Sequence, residues 1–205
     1  LQPFNLLEFQ YYYKKNRSMQ LIKEADILIS FLQLRDHWST IIIANTILNM
    51  INKIFEEEYS NETIFRLIYR ILSKLSSNDH LNKSFYIFFL FHLSKQLGFM
   101  PNFERCYSCN NLFKHDAIFS LSSHSLICSN CNIHNVLDTD IIISYSGLSM
   151  LKLINVTHIN QIAELNISSP CLIELHKFLI SFMRSNINYM NNLKGYDKID
   201  KLYYE

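Results

Sequence analysis

The spacing of apolar and polar positions divides the chain into blocks of different period. Leu6–Tyr13 and Ser18–Ala25 are rich in β-forming apolar and aromatic residues, and Lys14, Lys15, Asn16 and Arg17 make a polar break between them. This predicts a β-hairpin with a basic tip. Two strands alone are marginal in water, so the hairpin is expected to pack on a neighbour or pair with further strands. Three helices are predicted next. The first runs from about Asp36 to Phe55, with Trp38, Ile41, Ile42, Leu48, Ile51 and Phe55 as a 3.6-period stripe, and Glu56, Glu57 and Glu58 end it. The second starts at Asn61, a good N-cap, and turns Ile64, Phe65, Ile68, Ile71, Leu72 and Leu75 inward. Arg66, Arg70 and Lys74 recur every four residues and give it a basic face. The third runs from near Asp79 to Gly98, with Pro101 beyond as a stop signal. It is apolar nearly all round at Phe85–Leu93, which predicts the central helix of the core.

A late helix is predicted from Ser169-Pro170, because proline is tolerated at the first helical position. Leu172, Leu175, Phe178, Leu179, Phe182 and Met183 form its buried stripe, Gly195 is expected to terminate it, and a short polar tail follows from Tyr196.

Composition narrows the class. The chain has 205 residues, 49% hydrophobic and 14% aromatic, enough for a real core, and only three Gly and three Pro argue against long linkers. A net charge of +1 puts no field of one sign over the surface, so nucleic-acid binding would need a local patch. No apolar run reaches the roughly 18 residues a spanning helix needs, and no export signal is read. Free thiols and a metal site then predict a cytoplasmic protein.

The strongest chemical signal is four cysteines. Cys106/Cys109 and Cys128/Cys131 are two Cys-x-x-Cys hooks separated by 18 residues, the spacing of a structural zinc site. Each hook offers two thiolates from one tight turn, and two hooks close a tetrahedron with no position left for substrate. Asn110 and Asn132 follow the hooks and suit the left-handed conformation that such turns demand. Two disulfides would need an oxidising compartment, a thioredoxin-like pair needs one hook beside a βαβ unit, and an iron–sulfur cluster would use the same thiolates. Zinc is the expected ligand. His115, His124 and His134 read as loop histidines, and Cys171 as a small core residue.

No Gly-rich phosphate loop, Ser-x-x-Lys or His-Glu-x-x-His motif is present, so no enzyme is expected. A zinc-ribbon interaction module of other nucleic-acid machinery is the alternative. Arg105, Lys114 and Asp116 give that ribbon no dominant charge.

These pieces resemble the RecO family of bacterial recombination mediators. Leu1-Gln2-Pro3-Phe4-Asn5-Leu6-Leu7-Glu8 is similar to the family's LQPF-x-LLE stretch, and Lys23-Glu24-Ala25 resembles the strand end leading into its helical domain. Gly98-Phe99-Met100-Pro101, then Arg105-Cys106 and the hooks, resemble the entry to its zinc module, with Phe119-Ser120 on the strand between hooks. Leu193-Lys194-Gly195 looks like the end of its last helix. Asn110 and His124-Ser125 stand where the family often has glycine. The resemblance implies a mainly α fold with a small β part: the C-terminal part of an OB-fold domain over 1–33, whose first strands family members carry upstream, a helical bundle domain over 34–102, an inserted four-cysteine zinc finger over 103–136, and a helical continuation with a tail over 137–205. It also implies a role without catalysis: binding single-stranded DNA, recognising the acidic C-terminal tail of single-strand-binding protein, working with RecR, helping to load the recombinase RecA, and annealing strands. Lys14, Lys15 and Arg17 would meet phosphates while Tyr12 or a neighbouring tyrosine stacks on bases, unless the tyrosines fill a barrel core. Arg66, Arg70 and Lys74 would dock the acidic peptide, unless they are a solvated helix face.

Overall fold

A computed structural model of the chain describes residues 2–55, 60–77, 82–121, 123–131, 140–187 and 196–204. It opens with an antiparallel hairpin, β1 (Asn5–Tyr12) paired with β2 (Leu21–Ser30), whose register shifts once after Leu6 and once after Gln10. The second strand starts later and runs further than expected. Gln20 is spent on the turn: its side chain accepts from the Lys14 N–H at 2.8 Å and donates to the Lys14 and Arg17 carbonyls at 3.1 and 2.9 Å. Ile27 and Ile29 then extend β2 to its end opposite Asn5. Only the root of the hairpin enters the core. Phe4 and Phe31 are buried there, and the Phe31 N–H donates to the Phe4 carbonyl at 3.0 Å. Among the described residues the hairpin pairs with no third strand.

A 3-10 turn, Leu32–Arg35, leads into α1 (Trp38–Ile54). The buried face of α1 is Thr40, Ile43, Ala44, Ile47 and Met50, and Trp38 is 63% exposed. The expected stripe is thus rotated onto the flank. Ile41, Ile42, Ile43 and Ala44 supply apolar atoms at every phase, so periodicity alone does not choose the face. In α2 (Glu62–Ser77) the Asn61 side chain accepts from the Ile64 N–H at 3.0 Å, as its N-cap role predicts. Ile64, Ile71, Leu72 and Leu75 are buried, but Phe65 faces out.

Helix α3 (Asn82–Gln96) is the centre of the fold. Every residue from Phe85 to Phe91, and Leu93, is buried, and α3 contacts α1, α2, α4 (Tyr145–Val156), α5 (Ser169–Asn186) and the 3-10 segment Ile159–Leu165. It stops at Gly98, whose φ of +84° is the left-handed turn expected there. The predicted start at Asp79 lies outside the described residues, as do Leu1 and the Glu56–Glu58 stop.

Six apolar positions predicted for α5 are all buried. The helix stops at Asn186, before the expected Gly195. The Ile187 N–H closes the last turn on the Met183 carbonyl at 2.8 Å, and the side chains of Ser185 and Asn186 both donate to the Phe182 carbonyl at 2.8 Å. Leu193, Lys194 and Gly195 fall outside the described residues. The stretch expected as a polar tail is helix α6 (Tyr196–Tyr204), with Ile199 and Tyr203 buried.

Between α3 and α4 lies a three-stranded antiparallel sheet in the order β4 (Ser125–Cys128), β3 (Ala117–Ser120), β5 (Ile141–Ile143). Phe119 of β3 meets Phe178 and Phe182 of α5 edge-on, at 5.4 and 5.3 Å between centroids. The finger is therefore seated on the helical core through aromatic contacts.

Candidate metal centre and interaction surfaces

Backbone hydrogen bonds shape the cysteine hooks. In the first, the Asn110 N–H donates to the Cys106 carbonyl at 2.9 Å and the Cys106 N–H to the Asn111 carbonyl at 2.9 Å. In the second, the Cys131 N–H reaches the Cys128 carbonyl at 3.0 Å. The Cys128 N–H donates to Cys106 Sγ at 3.3 Å and the Tyr107 N–H to the Leu126 carbonyl at 2.9 Å, which locks the hooks face to face. Asn110 and His124 have φ of 59° and 49°, the left-handed region that glycine would fill at no cost. Asn132 and His134 lie outside the described residues.

All four Sγ atoms fall within 4.8 Å of one another, with Cys109 and Cys128 at 3.8 Å. A tetrahedron with zinc–sulfur bonds of about 2.3 Å has edges of about 3.8 Å, so the four residues fit that ion. Among the described residues, His115 and His124 stay outside the cluster. Burial raises the Cys106 thiol, but hydrogen bonds from the backbone at Cys109, Cys128 and Ser108 outweigh it and bring the pKa to about 6. Cys131 is pushed up to about 12, chiefly by Cys109 and Cys128. Thiolates this close resist further ionisation, and a divalent cation removes that conflict. Cys171 is partly buried against the core, which raises its thiol.

The predicted DNA-contacting residues gather at one end of the hairpin. Tyr12 ends β1, and Lys14, Lys15 and Arg17 form the turn, all exposed. Tyr11, Tyr12 and Tyr13 are 56%, 55% and 69% exposed, so none fills a core here.

Arg66 and Arg70 stand on successive turns of α2 and line a cleft of about 350 Å³ together with Leu67, Phe88, His92 and Ile159. Arg66 also pairs with Glu62 at 2.6 Å. Lys74, one turn further on, is outside this lining. Phe65, predicted to turn inward, is also outside this lining. Phe65 lines a separate groove with Ile51, Phe55 and Ile68, and Tyr69 packs on Phe31 at 6.1 Å. Sequence reasoning missed His158 and Ile159. His92 carried a signal, because it interrupts an apolar run from Phe85 to Leu93. Its ring sits 4.1 Å from Phe88, and burial pulls its pKa down to about 4 against an opposing hydrogen bond to the Ile154 backbone, with Lys95 adding to the fall.

Comparison with known proteins adds the family. Residues 35–191 match the model of the recombination protein O C-terminal region. The chain is similar to the DNA repair protein RecO of Chlorobium limicola, 29% identical over 102 residues, which span 50% of this chain and 39% of that protein. It is similar to the DNA repair protein RecO of Alkaliphilus metalliredigens, 22% identical over 93% of this chain and 76% of that one. The DNA repair protein RecO of Thermodesulfovibrio yellowstonii is 25% identical over 97% of this chain and 76% of its own length. With a family model matched over most of its length, this chain belongs to the RecO family of recombination proteins.

Proposed function

We propose that this chain is a non-enzymatic recombination mediator in DNA repair, acting in the cytoplasm. It binds single-stranded DNA weakly through the hairpin end, recognises the acidic C-terminal tail of single-strand-binding protein, cooperates with RecR, and helps the recombinase RecA onto coated strands. Strand annealing belongs to the same activity. Cys106, Cys109, Cys128 and Cys131 hold one zinc ion, which supplies folding free energy to the finger and no reactive position.

The observation that carries this reading is the cleft between α2, α3 and the 3-10 segment. Leu67, Phe88 and Ile159 give it an apolar wall, and Arg66 and Arg70 give it cations. That combination suits a peptide with apolar last residues and a free carboxylate, which a guanidinium takes through two parallel hydrogen bonds. On the hairpin, Lys14, Lys15 and Arg17 offer charges to phosphates, and the exposed tyrosines offer flat faces to unstacked bases.

Annealing of complementary oligonucleotides coated with single-strand-binding protein tests the reading. The chain is expected to accelerate annealing on strands coated with the intact protein and to lose that effect when the coat lacks its acidic tail. Equal acceleration on both coats, or none on either, contradicts it.

A further inference from the structure

The four cysteines of the finger differ in exposure. Cys106 is 2% exposed, and its Sγ accepts the Cys128 N–H at 3.3 Å. Cys109 is the exposed member of the set, with Cys128 and Cys131 half-buried. Cys109, Cys128 and Cys131 all line an open cavity of about 660 Å³, and Cys106 is not in that lining. The cluster is therefore closed at Cys106 and open at Cys109. Arg105 and Lys114 stand in the same lining. Cations beside an exposed thiolate stabilise the anion that leaves when its sulfur attacks a peroxide. Cys109 Sγ lies 3.8 Å from Cys128 Sγ, so a modest shift brings the two sulfurs to a bonding distance of about 2.05 Å.

We propose that Cys109 is a site of reversible oxidation by hydrogen peroxide, with Cys128 as its resolving partner, so that the finger's hold on its ion is redox-sensitive. This rests on the reading above that the four cysteines hold zinc. The chemistry takes two steps. The Cys109 thiolate attacks one peroxide oxygen; an S–O bond forms, the O–O bond breaks, and the second oxygen leaves as hydroxide. The Cys128 thiolate then attacks the sulfenic sulfur; an S–S bond forms and hydroxide leaves again. Two thiolates, one peroxide and two protons become one disulfide and two waters, the sulfurs losing the two electrons that the peroxide gains. A disulfide between the hooks removes two of the four thiolate ligands, and the remaining pair no longer closes a tetrahedron. Cys128 ends β4, which pairs with β3, so the change reaches the strand whose Phe119 seats the finger on α5. A thiol reductant reverses it.

The test exposes the full, zinc-loaded chain to hydrogen peroxide. Two readouts are followed: the ion released to a colorimetric chelator, and the state of each cysteine by mass spectrometry. Trypsin cuts after Arg105 and Lys114, so the two hooks fall on separate peptides. Oxidised Cys109 is expected first, and then a Cys109–Cys128 disulfide that joins the two peptides. Cys106 should react last, and Cys171, outside the cavity, should stay reduced. Release of the ion should rise in step with the joined peptides, and dithiothreitol with added zinc should restore the loaded chain. No variant is needed, so a failure to fold cannot blur the result. Cys106 oxidised as fast as Cys109, or disulfides confined within each hook, would overturn the proposal. A loaded chain that keeps its ion and its thiols in peroxide that oxidises free glutathione would also overturn it, and the zinc reading would stand. A folded chain that holds no zinc would overturn both.

Discussion

Tyr203 of α6 lies flat on His176 of α5, with ring centroids 4.0 Å apart and planes 6° from parallel. Tyr86 of the central helix packs beside both rings, and the Tyr203 hydroxyl donates to the Lys83 carbonyl at 2.6 Å. This stack holds the last helix on the core. His176 is fully buried with neither ring nitrogen hydrogen-bonded. Burial first, and the charge of Arg184 second, lower its pKa from 6.5 to about 3.

That burial makes stability depend on acid. Between about pH 6.5 and pH 3 the unfolded chain takes up a proton at His176 and the folded chain does not. Stability contributed by the neutral ring is complete above pH 6.5 and falls as the pH drops, by roughly 4 kcal/mol at pH 3. Thermal melting across this range should show the fall, and His176→Phe should flatten it while leaving the neutral-pH midpoint little changed. A variant with the same acid slope as the wild type would assign the loss to other groups, His92 first among them.

Zinc should be present at one ion per chain by elemental analysis. Cys109→Ser should lose the ion and unfold the β4-β3-β5 sheet locally, because a structural zinc contributes on the order of 10 kcal/mol in a small module. Phe119 couples that loss to α5 through Phe178 and Phe182. The melting temperature of the helical core is therefore expected to fall as well. Iron in place of zinc, or a folded finger without metal, contradicts this.

How far the sequence speaks depends on whether one segment contains the whole reason for its structure. The hooks were legible because the ligand spacing is itself the geometry. Helix α3 was legible because an all-round apolar surface admits only a central position, and Gly98 ends it locally. The face of α1 was not legible, since Ile41 to Ala44 are apolar at every phase and the neighbours choose. Helix α6 was hidden for a similar reason. Ile199, Leu202 and Tyr203 are apolar residues in a charged stretch, and only packing of α6 on α1 and α5 buries Ile199 and Tyr203. The cleft was half legible: Arg66 and Arg70 share a helix face, but Phe88, His92 and Ile159 come from two other elements. No sequence pattern joins them.

Hydrogen exchange should divide the chain along the same lines. The hairpin beyond its root is exposed on both faces, including Leu21, Ile22, Ile27 and Leu28, so Leu6–Ala25 should exchange fast. Phe85–Leu97 should be the slowest segment. Equal protection of the two would mean that something covers the hairpin.

Single-stranded DNA binding by this chain should be weak and salt-sensitive. The net charge is only +1, so a few local cations carry the interaction and affinity should fall with salt along a modest slope set by those few contacts. Lys14→Glu with Lys15→Glu should remove most of it, measured by oligonucleotide anisotropy. Tight binding that survives the double change places the DNA site elsewhere.

The central claim is that the cleft beside Arg66 and Arg70 receives an acidic peptide by its carboxy terminus. The direct measurement is an anisotropy titration of such a peptide, with apolar last residues, into the wild type and Arg70→Glu. The account predicts micromolar affinity for the wild type, on the order of −8 kcal/mol. It predicts a loss of about tenfold or more with Arg70→Glu or with an amidated peptide terminus, and weakening by added salt. A folded chain that does not bind the peptide, or that binds it equally well after Arg66 and Arg70 are changed, contradicts it.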